Sequence, residues 1–181
     1  GHPYAITHRA AEDDVVAATR KGRIRGTVLP LSNSFGAPVS AEVNRWTLLT
    51  NDLCRQAVEK GVLTLHSNGC QFRDFICLSD VEEVVVRMIT SPENTGRIIY
   101  NLGSGLSMRV LDMANTIVRS AESVLKKNIM LELAAGIPAT REPVLNFSID
   151  RLLSEGYRIQ NDIDLELERL LIFCADHFSQ P

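Results

Sequence analysis

The chain has 181 residues, 45% of them hydrophobic and 23% charged, a balance that supports the buried core of one full domain or two small ones and excludes disordered, collagen-like and disulfide-scaffold classes. Nineteen Lys and Arg against twenty-two Asp and Glu leave a net charge of −3, without the basic excess through which phosphate neutralisation drives nucleic-acid binding. The longest apolar run, Leu170 to Ala175, falls far short of the ~20 residues that span a bilayer, and no signal-type start is present, so the expectation is a cytoplasmic chain without a membrane partner.

Residues 4–21 carry apolar side chains at helical spacing, with Ile6, Ala10, Ala11, Val15 and Ala18 in one stripe and Gly22 as the stop. Ile24 to Leu31 reads as a buried strand, followed by the turn-rich Ser32 to Pro38, a loop well placed for ligand contacts. Ser40 to Lys60 predicts a helix around Val43, Trp46, Leu49, Leu53 and Val58, closed by Gly61. Val62 to His66 and Phe72 to Leu78 read as strands around the turn Ser67-Asn68-Gly69, able to pair as a hairpin. Ser79-Asp80 reads as the N-cap of a helix with Val81, Val84, Val85, Met88 and Ile89 on its apolar face, terminated by Ser91-Pro92 to Gly96. Arg97 to Leu102 is a predicted strand, Gly103-Ser104-Gly105 a tight turn, and Ser107 the cap of a helix reaching about Leu125. A short strand at Ile129 to Leu133, a loop with Gly136, Pro138 and Pro143, and helices near Ile149 to Ser154 and Leu165 to Phe178 complete the chain. The alternation of strand and helix makes the class α/β, with few and short elements for a complete doubly wound sheet.

Cys54, Cys70, Cys77 and Cys174 form no C-x-x-C pair and have no His at zinc spacing, so they read as reduced small hydrophobes and no metal site is expected. Tyr4 and His8 lie four apart on one helix face, where a basic group beside a phenol stabilises the phenolate an acid/base catalyst needs. The same spacing also suits a helix-start aromatic beside a surface histidine. Arg73 opens a strand, and its guanidinium suits bidentate contact with a phosphate or, equally, a salt bridge on the rim. Gly103-Ser104-Gly105 imitates the start of a dinucleotide fingerprint, but Met108 holds the third glycine position and no acidic residue follows ~20 residues on, so a turn needing positive φ is the better account.

Four segments occur in order: Tyr4-Ala5-Ile6-Thr7-His8, Leu31-Ser32-Asn33-Ser34-Phe35-Gly36, Gln71-Phe72-Arg73-Asp74-Phe75-Ile76 and Asn101-Leu102-Gly103-Ser104-Gly105. Together they resemble the second half of the extended short-chain dehydrogenase/reductase family, the NAD(P)-dependent epimerases and dehydratases of nucleotide-activated sugars, over about residues 3–178. The resemblance implies a partial, C-terminal portion of a Rossmann-like fold with a substrate-binding α/β subdomain, and a dinucleotide-binding N-terminal half absent from this chain. It makes Tyr4 the tyrosine of the Y-x-x-x-K motif, the acid/base that exchanges a proton with a sugar hydroxyl, and puts His8 at the lysine position beside the cofactor. It makes Asn33 and Arg73 ligands of the nucleotide-sugar near its diphosphate and puts His66 near the base pocket. Asn101 and Gly103 match an architectural turn.

Two positions depart from the family pattern: His8 replaces a lysine that stays charged at pH 7, and Pro30 stands where many relatives have arginine. The resemblance implies NAD or NADP in the parent protein, not held tightly by this chain alone, a nucleotide-sugar as substrate and a homodimeric parent. The expectation is therefore the substrate-binding part of a nucleotide-sugar epimerase or dehydratase, inactive in isolation. The alternative is a stand-alone, non-catalytic nucleotide-sugar-binding or interaction module.

Overall fold

The computed structural model describes residues 3–90, 98–134 and 142–179. The expected termination at Ser91-Pro92 to Gly96, the start of a strand at Arg97, and Gly136 and Pro138 lie outside them. The elements run α1 (Pro3–Arg20), β1 (Asn33–Phe35), α2 (Leu49–Lys60), β2 (Val62–Leu65), β3 (Phe72–Cys77), α3 (Leu78–Thr90), β4 (Ser107–Arg109), α4 (Val110–Leu125), β5 (Met130–Leu133), α5 (Asp150–Ser154) and α6 (Ile163–Phe178). The fold is α/β, as the alternation requires.

The strands form two sheets. One has the order β1-β3-β4, with β1 parallel to β3 and β4 antiparallel to it; the other pairs β2 with β5 in parallel. The expected hairpin between β2 and β3 is therefore not formed. β3 instead pairs with β1 and β4 and buries side chains on both its faces, which outweighs the local turn signal, while β2 pairs with β5. Alternation along β3 sends Phe75 and Cys77 into a core with α2, α4 and α6, and Ile76 into a second core with Val84, Tyr100, Leu102, Ile149 and Leu152. β3 is thus the wall between two hydrophobic clusters. The fully buried Leu53, Met113, Ile117, Leu167, Leu170 and Leu171 fill the larger cluster, each such side chain contributing roughly 1.5–3 kcal/mol by leaving water.

Several local expectations are corrected. Among the described residues the segment at 24–31 makes only two parallel bridges, Val28 to Ile99 and Leu31 to Leu102, and none of its side chains is buried. Pro30 gives a physical reason: its carbonyl accepts from Leu102 N at 2.9 Å, but it has no N–H to donate in the same ladder. The helix expected from Ser40 begins at Leu49, because residues 40–48 are tied into short turns and the Trp46 indole donates to the Ala41 carbonyl at 3.0 Å. Ser79-Asp80 is not an N-cap: α3 starts at Leu78, and the Asp80 carboxylate accepts from Gln160 N and Asn161 N, both at 2.9 Å. Ser107 belongs to β4, so the cap position of α4 falls to Arg109. Gly61, with φ of +68°, closes α2 in the left-handed conformation as its sequence position suggests. Among the described residues no helix is long and apolar enough to cross a membrane.

Candidate functional site

β1 and β3 bring two of the expected residues together. Asn33 pairs in register with Phe75, two residues beyond Arg73, so strand alternation puts the Asn33 and Arg73 side chains on the same face of the sheet. Both are exposed. One Asn33 amide hydrogen goes to the Asp74 carbonyl at 2.9 Å, leaving the second to offer. The Arg73 guanidinium donates to Gln71 Oε1 at 3.1 Å and makes no ion pair among the described residues, so the rim salt bridge is not formed and most of its five N–H donors face outward. An amide and a guanidinium side by side form a donor surface for anionic oxygens, such as those of a diphosphate.

Three buried polar side chains that sequence reasoning left out hold this surface. Asp74 is only 1% exposed, and its two carboxylate oxygens accept from Ser104 N at 2.8 Å and Ser104 Oγ at 3.0 Å. This anchors β3 to the turn at 103–105. A Cβ on Gly103 would lie 2.7 Å from Asp74 Oδ1 and from the Phe147 ring, so the turn presses too close for any other residue. Asn51, at the start of α2, brackets Gly36: its amide donates to the Gly36 carbonyl at 3.0 Å, and its Oδ1 accepts from Gly36 N at 3.4 Å. Glu166 of α6 abuts Gly36 and accepts from Ser79 Oγ at 2.8 Å. The available signal was an acidic residue set directly against an apolar run, as Asp74 is before Phe75-Ile76-Cys77-Leu78.

The other expected residues stand on other elements. Tyr4 and His8 stand on α1, which buries no side chain; Tyr4 is 66% exposed. Their rings face each other at 3.9 Å between centroids, and His8 Nδ1 donates to the Tyr4 carbonyl at 2.9 Å. In the neutral imidazole, that bond makes Nε2 an acceptor, a different role from the charged donor of a lysine. His66 is exposed at the end of β2, in the other sheet. Asn101 is architectural, its amide donating to the Ser148 carbonyl at 2.9 Å.

A dinucleotide pyrophosphate does not fit the strand-turn-helix before α4. The amides of Val110 and Leu111 are already committed to the carbonyls of Gln71 and Gly69, at 2.9 and 3.0 Å, and Ser104 N to Asp74. Gly105, at φ of +73°, serves the turn. The cysteines are all free, three buried and Cys70 half-buried. Burial, then the nearby carboxylates of Glu166, Asp80 and Asp162, pushes Cys77 up to about 12; burial pushes Cys174 to about 12 and Cys54 well above its ordinary range. These thiols are inert. Among the described residues no cluster of His, Cys, Asp and Glu could hold a metal ion.

Comparison with known proteins agrees with this architecture. The chain is 30% identical over 115 residues to the dTDP-L-rhamnose 4-epimerase of Burkholderia thailandensis, a match covering 63% of this chain and 31% of that protein. RMD from Pseudomonas aeruginosa, solved with NADPH, superposes with a TM-score of 0.76 at 19% identity, over 96% of this chain and 56% of that one. The UDP-glucuronic acid 4-epimerase of Bacillus cereus, solved with UDP-glucuronic acid and NAD, gives 0.72 at 19% identity, over 96% and 52%. The dTDP-glucose 4,6-dehydratase of Bacillus anthracis, solved with NAD, gives 0.72 at 16%, over 98% and 53%. The chain thus spans about half the length of these solved relatives and a third of the curated one, and its partial Rossmann-like fold is theirs. The sequence model of the NAD dependent epimerase/dehydratase family matches residues 1–103, the stretch that carries Tyr4, Asn33 and the Arg73-Asp74-Phe75 strand, and the chain belongs to that family of extended short-chain dehydrogenases.

Proposed function

We propose that this chain is the substrate-binding part of an NAD(P)-dependent nucleotide-sugar epimerase or dehydratase. The observation that carries the reading is the pairing of Asn33 and Arg73 on one face of β1 and β3, with outward donors and no competing carboxylate among the described residues. The diphosphate of a nucleotide-sugar is the anion such a surface suits, and His66 is assigned to the side of the base. Tyr4, with His8 beside it, is assigned the proton exchange with a sugar hydroxyl. NAD or NADP supplies hydride chemistry in this family, and on this reading its pyrophosphate is held by a region outside these residues, because the turn before α4 does not receive it. The chain alone therefore turns over no substrate. Homodimerisation of the parent is assigned to α1, whose Tyr4 and Ile6 are exposed.

A second reading, a non-catalytic binding module, is favoured by His8 in the lysine position and by the lack of packing around α1. Both readings require the same donor surface of Asn33 and Arg73. Calorimetric titration with UDP-glucose, dTDP-glucose and GDP-mannose tests it. At least one is expected to bind, and Arg73→Ala is expected to weaken binding about tenfold or more, as loss of a charge-assisted pair does. Absence of binding, or binding indifferent to Arg73, overturns the assignment. Reduction of NAD⁺ by the chain alone with any of these sugars would overturn its inactivity.

A further inference from the structure

Asp74 is a buried carboxylate with no cation paired to it among the described residues, an expensive group to retain unless its hydrogen bonds serve a purpose. Its acceptors reach separate stretches of chain. The main-chain oxygen takes the Asn33 amide, Oδ1 takes Ser104 N, and Oδ2 takes Ser104 Oγ. Strand alternation turns the Asp74 side chain to the face opposite Arg73, so its charge does not compete for the anion that Arg73 and Asn33 receive. The Gly103 backbone is pressed against the same carboxylate, which leaves it no room to shift.

We propose that Asp74 is the positioning residue of the diphosphate-binding surface: by pinning the 103–105 turn on one face of β3, it fixes where Asn33 and Arg73 present their donors on the other. This rests on the nucleotide-sugar reading above. Without the carboxylate, Ser104 N loses its acceptor and Ser104 Oγ keeps only the Leu106 carbonyl, so the turn is no longer pinned to β3, and the Asp74 carbonyl that receives the Asn33 amide sits on a strand held by its ladder partners alone. Asp74 acts through these neighbours and does not touch the ligand.

The test compares Asp74→Asn, which keeps an Oδ1 acceptor for Ser104 N, with Asp74→Ala, which keeps none. The readouts are calorimetric affinity for UDP-glucose, the thermal midpoint, and the Asn33 side-chain amide resonance in ¹⁵N spectra. Asp74→Ala is expected to weaken binding about tenfold and move the Asn33 resonance, while Asp74→Asn stays within about threefold of the parent and leaves that resonance in place. Should Asp74→Ala not fold, Ser104→Ala takes its place, with an expected loss of about threefold and the same shift at Asn33. Affinity and Asn33 resonance unchanged in the alanine variant, with Arg73→Ala still defective, overturn the positioning role alone. If the parent chain binds no sugar nucleotide, the nucleotide-sugar reading falls, and this role with it.

Discussion

β3 and α1 carry the two halves of the candidate chemistry, and they are held in opposite ways. β3 has a hydrophobic cluster on each face, parallel and antiparallel partners on its two edges, and the carboxylate of Asp74 tied to a neighbouring turn. α1 buries no side chain, and the segment after it is tied back by Gly26 N to Thr19 Oγ1 at 3.2 Å and by Arg23 N to the Ala18 carbonyl at 3.0 Å. Its ion pairs, Arg9 with Glu12 and Asp13, lie at the surface, and contribute little. The donor surface of Asn33 and Arg73 is therefore preorganised by the core of this chain, whereas the orientation of Tyr4 and His8 is not.

Substitutions should separate the two regions. Leu170→Ala, at a fully buried position of the larger cluster, is expected to cost ~2–5 kcal/mol in denaturant unfolding; a loss below ~1 kcal/mol would deny that this cluster is the core. Gly69→Ala comes next. Gly69 has φ of +69°, and a Cβ there would lie 2.7 Å from Leu111 Cβ, so about 2–4 kcal/mol is expected from left-handed strain and overpacking together. Gly22→Ala, after α1, has a similar φ of +68° but open space around it, and should cost only about 1 kcal/mol. Equal losses at the two glycines would erase the contrast between the regions.

A pH series sharpens the same contrast. Cys77 is held at about 12 in the folded chain against an ordinary 9.0, so the unfolded chain loses this proton first as pH rises. The stabilisation is complete below about pH 9 and is lost between there and about pH 12. Stability of the parent should fall more steeply over that window than stability of Cys77→Ala, and identical slopes would contradict the burial of this thiol on β3. The smallest effects belong to α1: Ile6→Ser and Tyr4→Phe should each leave the unfolding free energy within ~0.5 kcal/mol of the parent.

What could be read from the sequence follows the range of the interactions. α1, β3, β5 and α6 announce themselves by local periodicity, and Gly61 by its place after a helix. The pairing of β2 with β5 joins residues far apart in the chain, Val62 with Met130 and Leu65 with Leu133, and the apparent hairpin turn at Ser67-Asn68-Gly69 gave a local signal for a different partner. Ser79-Asp80 has the composition of a cap, but Asp80 satisfies the amides of Gln160 and Asn161, distant in sequence. The candidate site divides in the same manner. Asn33 and Arg73 were legible because their types suit an anion and their motifs resemble a family. Asp74, Asn51 and Glu166 act through hydrogen bonds to distant backbone or side-chain groups, which no local pattern encodes.

A titration of the ¹⁵N-labelled chain with UDP-glucose, dTDP-glucose or GDP-mannose, followed residue by residue, tests most directly whether β1 and β3 hold the diphosphate. Shifts are expected to gather at residues 33–36, 73–75 and 103–105, including the Asn33 side-chain amide and Arg73 Nε, with the amides of α1 little changed. Shifts absent for all three ligands, or concentrated on α1 while β1 and β3 stay still, would contradict it.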